Sequence, residues 1–223
     1  MKRRLFVRDF DPWNPNDVAV LRKMIESSSD PEAWEKFGIF LYCTEKDDYL
    51  EEAIGYLKKA ADKGRIEAIG YLGDAYFKGL GVERNIKRGL ELYERSADGG
   101  SVESMFSIGN EYLLGRNVEC DYGKAFSYLK KASDLGSDRA TNSLGMMYMC
   151  GLYVDKDIRT AKKLFGSSRR HGNRNAAHNL SLIKELGADY DYKSIFLEQT
   201  EPRDYNWERE KRMEKKTIDP LHR

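Results

Sequence analysis

The chain has 223 residues, 40% of them apolar and 34% charged, with 38 Lys+Arg set against 37 Asp+Glu. A net charge of +1 supplies no general attraction for nucleic acid or an anionic membrane, and no apolar run approaches the roughly 20 residues of a spanning helix. With 14 Tyr and 9 Phe beside 5 Pro, the composition also differs from that of a disordered chain.

The N-terminus opens on Met1-Lys2-Arg3-Arg4, like the basic start of a secretory signal, but Arg8, Asp9 and Asp11 break the apolar run that should come after it. Cys43, Cys120 and Cys150 are odd in number and fall out of step with one another. No disulfide framework is expected, and a reducing, cytoplasmic location is. Asn14-Pro15 reads as the N-cap and first residue of a helix whose apolar stripe is Val18, Leu21 and Ile25. Residues 1–30 are therefore expected to cap the N-terminal end of the core, with Trp13 either stapling the helix entry or exposed.

A repeat begins next. Gly64, Gly100, Gly136 and Gly172 are each 36 residues apart, as are Gly73, Gly109 and Gly145, and again Gly79, Gly115 and Gly151. Leu72, Ile108, Leu144 and Leu180 keep the same step, and so do Tyr76, Tyr112 and Tyr148. Several independent series at one period mark a repeat architecture. Within a unit, Ala68, Leu72, Gly73 and Tyr76 make one helical stripe. Ala125, Tyr128, Leu129 and Ala132 make a second one later in the next unit. Gly79, Gly115 and Gly151 suit the left-handed residue that ends a first helix. Asn85, Asp121 and Asp157 are placed to N-cap a second helix, which Gly100, Gly136 and Gly172 close. Glycine at 73, 109 and 145 lies inside the first helix, where it costs roughly 0.5–1 kcal/mol against Ala. Its recurrence predicts a tight crossing of the two helices, backbone close to backbone.

The pattern Ala68-x3-Leu72-Gly73-x2-Tyr76-x2-Gly79-x-Gly81-Val82, then Asp121-x2-Lys124-Ala125-x2-Tyr128-Leu129-x-Lys131-Ala132, resembles the SEL-like repeat, a relative of the tetratricopeptide repeat. The resemblance covers residues 31–187, with units at about 31–64, 66–100, 101–136 and 137–172 and a partial one at 173–187. The first unit is degenerate: its turn, residues 43–48, lacks both glycines and one residue. The fold implied is all-α, a right-handed α/α solenoid of about four helix-turn-helix repeats with helical caps. Residues 188–223 form the C-terminal end. Tyr190, Tyr192, Ile195 and Phe196 suit a capping helix in place of a regular second helix. A tail of alternating charge runs on from Glu201.

Chemistry-bearing patterns are sparse. His171, His178 and His222 have no Glu or second His at ligand spacing, and no Cys-x-x-Cys occurs, so neither metal nor cofactor is expected. Gly79-x-Gly81 comes after a helix and recurs as a turn, unlike a phosphate loop, which comes after a strand. Arg169-Arg170 with Arg174 comes nearest to a basic stripe but lacks aromatic platforms, so nucleic acid is not an expected partner, nor is a membrane.

What remains is the face that the core stripe leaves over. By the resemblance to tetratricopeptide arrays this is the concave face, carrying Glu35, Ile39, Tyr42, Asp74, Phe77, Phe106, Asn110, Leu113, Asn142, Met146, Met149 and His178. It is richer in Phe, Leu, Met and Asn than a solvated face has reason to be. Asn110 and Asn142, in successive repeats, suit the backbone of an extended peptide. The expectation is a non-catalytic scaffold or adaptor that binds a partner protein there. Narrower roles implied by the resemblance are an immunity protein neutralising a toxin, or a regulatory adaptor in bacterial signalling or secretion. Self-assembly into a homo-oligomer through the C-terminal segment is a separate expectation. An enzyme with a site assembled only by the fold is the remaining alternative.

Overall fold

The computed structural model describes residues 10–11 and 14–199. Trp13 and the charged tail beyond residue 199 lie outside the described residues, as does the side chain of Ile195. The chain divides into two compact units, one ending at Ser104 and one beginning at Met105.

The first unit holds α1 (Pro15–Glu26), α2 (Pro31–Tyr42), α3 (Asp47–Asp62), α4 (Ile66–Lys78), α5 (Ile86–Asp98) and the start of α6 (Val102–Leu114). Local chemistry sets the helix starts. The side chain of Asn14 accepts the Asn16 N–H at 3.0 Å, with Pro15 behind it. Asp30 does the same for Glu32 at 3.0 Å, with Pro31 next in the chain, and Asn85 takes the Arg88 N–H at 2.9 Å. Each satisfies an amide that the first turn otherwise leaves orphaned. Val18, Leu21 and Ile25 of α1 are fully buried. The degenerate first turn replaces glycine with a hydroxyl. Buried Thr44 donates to the Leu41 carbonyl at 2.7 Å and accepts the Lys46 N–H at 3.2 Å, while Glu45 takes the positive φ of 50°.

The second unit holds the rest of α6, α7 (Tyr122–Asp134), α8 (Asp138–Cys150), α9 (Ile158–Arg170), α10 (Arg174–Leu186) and α11 (Tyr192–Gln199). Asp121 and Asp157 cap α7 and α9 through the Lys124 and Thr160 amides, each at 2.9 Å. Gly151 ends α8 at φ 67°, a left-handed conformation that glycine adopts without steric cost.

The tight crossing expected from the in-helix glycines is present, in two forms. In α4–α5 it is backbone on backbone: a Cβ on Gly73 would stand 3.2 Å from the Gly89 carbonyl oxygen. In α6–α7 backbone is again near, with the Leu129 nitrogen 3.2 Å from a Cβ on Gly109, whereas in α8–α9 the glycine is a notch for a side chain alone. A Cβ on Gly109 would lie 2.9 Å from Leu129, and one on Gly145 2.6 Å from the Phe165 ring. Both partners are fully buried.

α11 lies beyond the last full repeat. A regular second helix would pair with α10, yet α11 packs on α8. Tyr192 and Phe196 are buried there, and the Tyr192 hydroxyl donates to the Gly187 carbonyl. At eight residues, α11 is too short to run the length of α10 as α9 runs along α8. Tyr190 stays 40% exposed.

Candidate partner-binding faces

Register sorts the expected binding residues into three rows, and in two of them equivalent positions of successive repeats are buried alike. Tyr42, Phe77, Leu113 and Met149 share one register position and are 4%, 4%, 2% and 4% exposed. These four belong to the core, which corrects their assignment to an open surface. The reason is clearest at Phe77. Its ring lies over Gly89, where a Cβ would come within 2.6 Å, and sits 5.1 Å from the Tyr93 ring. The side chain fills the helix crossing instead of facing solvent.

The second row is Ile39, Asp74, Asn110 and Met146, all half-buried. In the first unit Asp74 is a hub. It accepts the Tyr42 hydroxyl at 2.8 Å and the Tyr93 hydroxyl at 3.0 Å, and pairs with Lys78 at 2.8 Å. Three helices thus converge on one carboxylate, which makes Asp74 a structural tie as well as a surface group.

The third row is Glu35, Phe106, Asn142 and His178, and it varies most. Glu35 is 5% exposed and holds Arg65, with Nε at 2.9 Å, together with the Ala68 N–H at 3.2 Å. That hydrogen bond raises the Arg65 pKa and keeps the guanidinium charged. Phe106 is half-buried beneath the Arg139 guanidinium, 4.1 Å from ring centroid to cation. Asn142 is buried. Its carbonyl oxygen accepts the Asn179 amide at 3.2 Å, and its own NH2 lies 3.9 Å from Met146 Sδ. His178 is exposed.

Asn110 and Asn142, expected to hold the backbone of an extended peptide, are 32 residues apart and so lie in different rows, Asn110 half-buried and Asn142 buried. The amide that meets Asn142 is Asn179, which the sequence pattern did not single out. Its only signal was a second polar residue beside His178 on a helix otherwise in phase. In the second unit Phe106, Asn110, Arg139, Met146 and His178 therefore remain at least half-open on the first helices.

The far end of α8 is covered from within the chain. The Cys150 thiol lies 3.6 Å from the Tyr192 carbonyl oxygen, and Lys156 Nζ donates to the Tyr190 carbonyl at 2.7 Å. Burial pushes the Cys150 thiol up to about 12.

An open depression of about 390 Å³ beside the α4–α5 turn is lined by Tyr76, Val82, Glu83, Arg84 and Asn85. Its guanidinium is tied to the Phe77 carbonyl at 3.1 Å. Among the described residues no group of three or more His, Cys, Asp or Glu could hold a metal ion, and no helix is long and apolar enough to cross a membrane.

A family model described as Sel1 repeat matches residues 37–64, 66–101, 102–137 and 138–173. Among solved structures, a Sel1 repeat protein from Oxalobacter formigenes is 25% identical, with a TM-score of 0.67, over 85% of this chain and 79% of that one. A protective antigen present in uropathogenic Escherichia coli strains, displaying an SLR fold, is 22% identical with a TM-score of 0.65. The match covers 74% of this chain, which spans only 36% of the antigen's length. An immunity protein from Pseudomonas aeruginosa, 22% identical over 82% of this chain and 65% of that one, reaches a TM-score of 0.45. No curated protein matches.

Proposed function

Since the chain belongs to the Sel1 repeat family, whose members are generally protein-interaction scaffolds, we propose that it holds a segment of a partner protein on the first helices of its second unit. One observation carries this reading. Phe106, Asn110 and Met146 stay half-exposed on helices whose neighbouring register row is driven into the core. A ring capped by a guanidinium, an amide and a thioether offer apolar contact with polar anchoring. Neutralisation of a toxin and regulation of signalling or secretion are narrower forms of the same reading, and they differ in the partner alone. The three unpaired thiols suit a reducing, cytoplasmic setting.

The test is capture from the source organism with tagged protein, partners identified by mass spectrometry. Phe106→Asp with Met146→Asp should release the captured partner while the circular dichroism spectrum stays helical. Retention of the same partner by the folded variant would sink the reading.

A further inference from the structure

From Ile158 to Lys184 the sequence contains no Asp or Glu, yet it carries Arg159, Lys162, Lys163, Arg169, Arg170, Arg174 and Lys184. In a chain of net charge +1 this is a local imbalance with no counterpart elsewhere in the repeats. The structure gives it a geometry. On α9 the core side is Ala161, Phe165 and Ser168, all buried, while Arg159, Lys162, Lys163, Arg169 and Arg170 are exposed. Positions 159, 162, 163, 166, 169 and 170 fall at three- and four-residue steps, so they form one stripe along the helix. At 1.5 Å per residue the stripe is about 16 Å long.

Only Arg159, at the head of the stripe, interacts with a neighbouring carboxylate, Asp157. Asp157 is engaged in the helix cap, taking the Thr160 amide at 2.9 Å and hydroxyl at 2.6 Å. Asp138 is taken by His171 Nδ1 at 2.7 Å. Among the described residues no carboxylate lies within ion-pair distance of Lys162, Lys163, Arg169, Arg170 or Arg174. Other second helices are balanced at the same register. Where α9 has Lys163, Gly166 and Arg170, α5 has Glu91, Glu94 and Asp98, and Glu91 pairs with Arg88 at 3.1 Å. In α7, Lys130 is paired with Asp134 at 2.9 Å. The helix dipole accounts for cations in the last turn, Arg169 and Arg170, but not for Lys162 and Lys163 in mid-helix. Gly166, in the middle of the stripe, has nothing within 4 Å of where a Cβ would stand, so packing does not require it. It leaves the backbone open to close approach between the flanking cations.

We propose that this stripe is a second docking surface, and that its occupant is an acidic helical segment of a protein. The inference stands on the protein-binding reading but uses a different face from the first helices. Carboxylates on a helix recur at the same spacing of about 5–6 Å as the stripe's cations and cover a comparable length. A single-stranded nucleic acid would want aromatic platforms, and the stripe has none. A membrane surface would want apolar residues beside the cations, and every exposed position of α9 is basic.

The experiment uses the full chain and three labelled probes, read by fluorescence anisotropy at physiological ionic strength. The probes are a Glu-rich helical peptide, a DNA duplex and vesicles containing phosphatidylserine. The peptide is expected to bind most tightly, and Lys162→Glu with Lys163→Glu to weaken it by about tenfold or more. Lys162→Gln with Lys163→Gln, which removes charge without reversing it, should weaken it less and serves if the reversed variant misfolds. Phe106→Asp with Met146→Asp should leave peptide binding unchanged, which separates this surface from the one on the first helices. No peptide binding, binding untouched by both lysine variants, or tighter binding of the duplex or the vesicles would overturn the proposal.

Discussion

The thiol of Cys150, the last residue of α8, lies 3.6 Å from the carbonyl oxygen of Tyr192, the first residue of α11. The contact marks where the C-terminal helix closes over the first-helix face of the second unit. Cys150 is 6% exposed, whereas Cys43 and Cys120 are open to solvent. A thiol reagent should therefore label two cysteines quickly and the third slowly. Truncation after Gly187 should make all three fast, because α11 then no longer covers the Cys150 sulfur. Three fast thiols in the intact protein would mean that α11 does not sit on α8.

The same cysteine contributes a pH dependence of stability. Its folded pKa, pushed up to about 12, lies above the ordinary value of 9.0. The native state then holds a proton that the unfolded chain gives up, so stability falls with rising pH across that window. The contribution is complete below pH 9 and is lost as pH climbs toward 12. Tyr122, raised to about 12 chiefly by burial, adds to the same alkaline decline. Denaturant melts of Cys150→Ala should show a shallower decline than the parent between these limits.

Two glycines in the α8–α9 pair make opposite predictions. Gly145→Ala places a methyl 2.6 Å from the Phe165 ring, which is fully buried and cannot swing away. A loss of about 1–3 kcal/mol is expected from overpacking. Gly166→Ala meets nothing within 4 Å and needs no positive φ, so it should gain about 0.5–1 kcal/mol. Urea denaturation of the two variants measures both signs. Equal effects would show that the crossing leaves room for a methyl at Gly145.

Much of this was legible in the sequence because a 36-residue step repeats its own punctuation. Caps at Asn85, Asp121 and Asp157 and the turn glycines come from local chemistry alone. The binding face was less legible, and the residues show why. Phe77 looks exposed from the stripe Ala68, Leu72, Tyr76, because its burial depends on Gly89 in the next helix opening a space for the ring. One such misjudged register position carried Tyr42, Leu113 and Met149 with it. The Asp74 hub draws on three helices, and no spacing along the chain announces that. α11 lies beyond the last full repeat, so no period fixes its partner.

The buried amide pair tests whether the first helices of the second unit are joined by polar contact. Asn142 and Asn179 are 7% and 9% exposed and meet at 3.2 Å. Replacing either by Ala strands the other amide away from water, at about 1–3 kcal/mol. The double variant should cost less than the sum, since both orphaned groups are gone. A double-mutant cycle with strictly additive values would mean that the two amides do not interact.

In the first unit the decisive pair is Glu35 with Arg65. The carboxylate is 6% exposed and the guanidinium 39%, so the anion depends on the cation more than the reverse. Arg65→Leu leaves Glu35 buried with only the Ala68 N–H, at 3.2 Å, to stabilise its charge. A stranded buried carboxylate costs about 3 kcal/mol or more, and water reaching past a half-exposed position brings the expectation to about 2–3 kcal/mol. Adding Glu35→Gln should restore most of that loss. A glutamine can still accept the Ala68 amide, and it carries no charge to desolvate. Chemical denaturation of the single and double variants decides the matter. If Arg65→Leu proved as stable as the parent, Arg65 would not be what stabilises the buried Glu35 side chain.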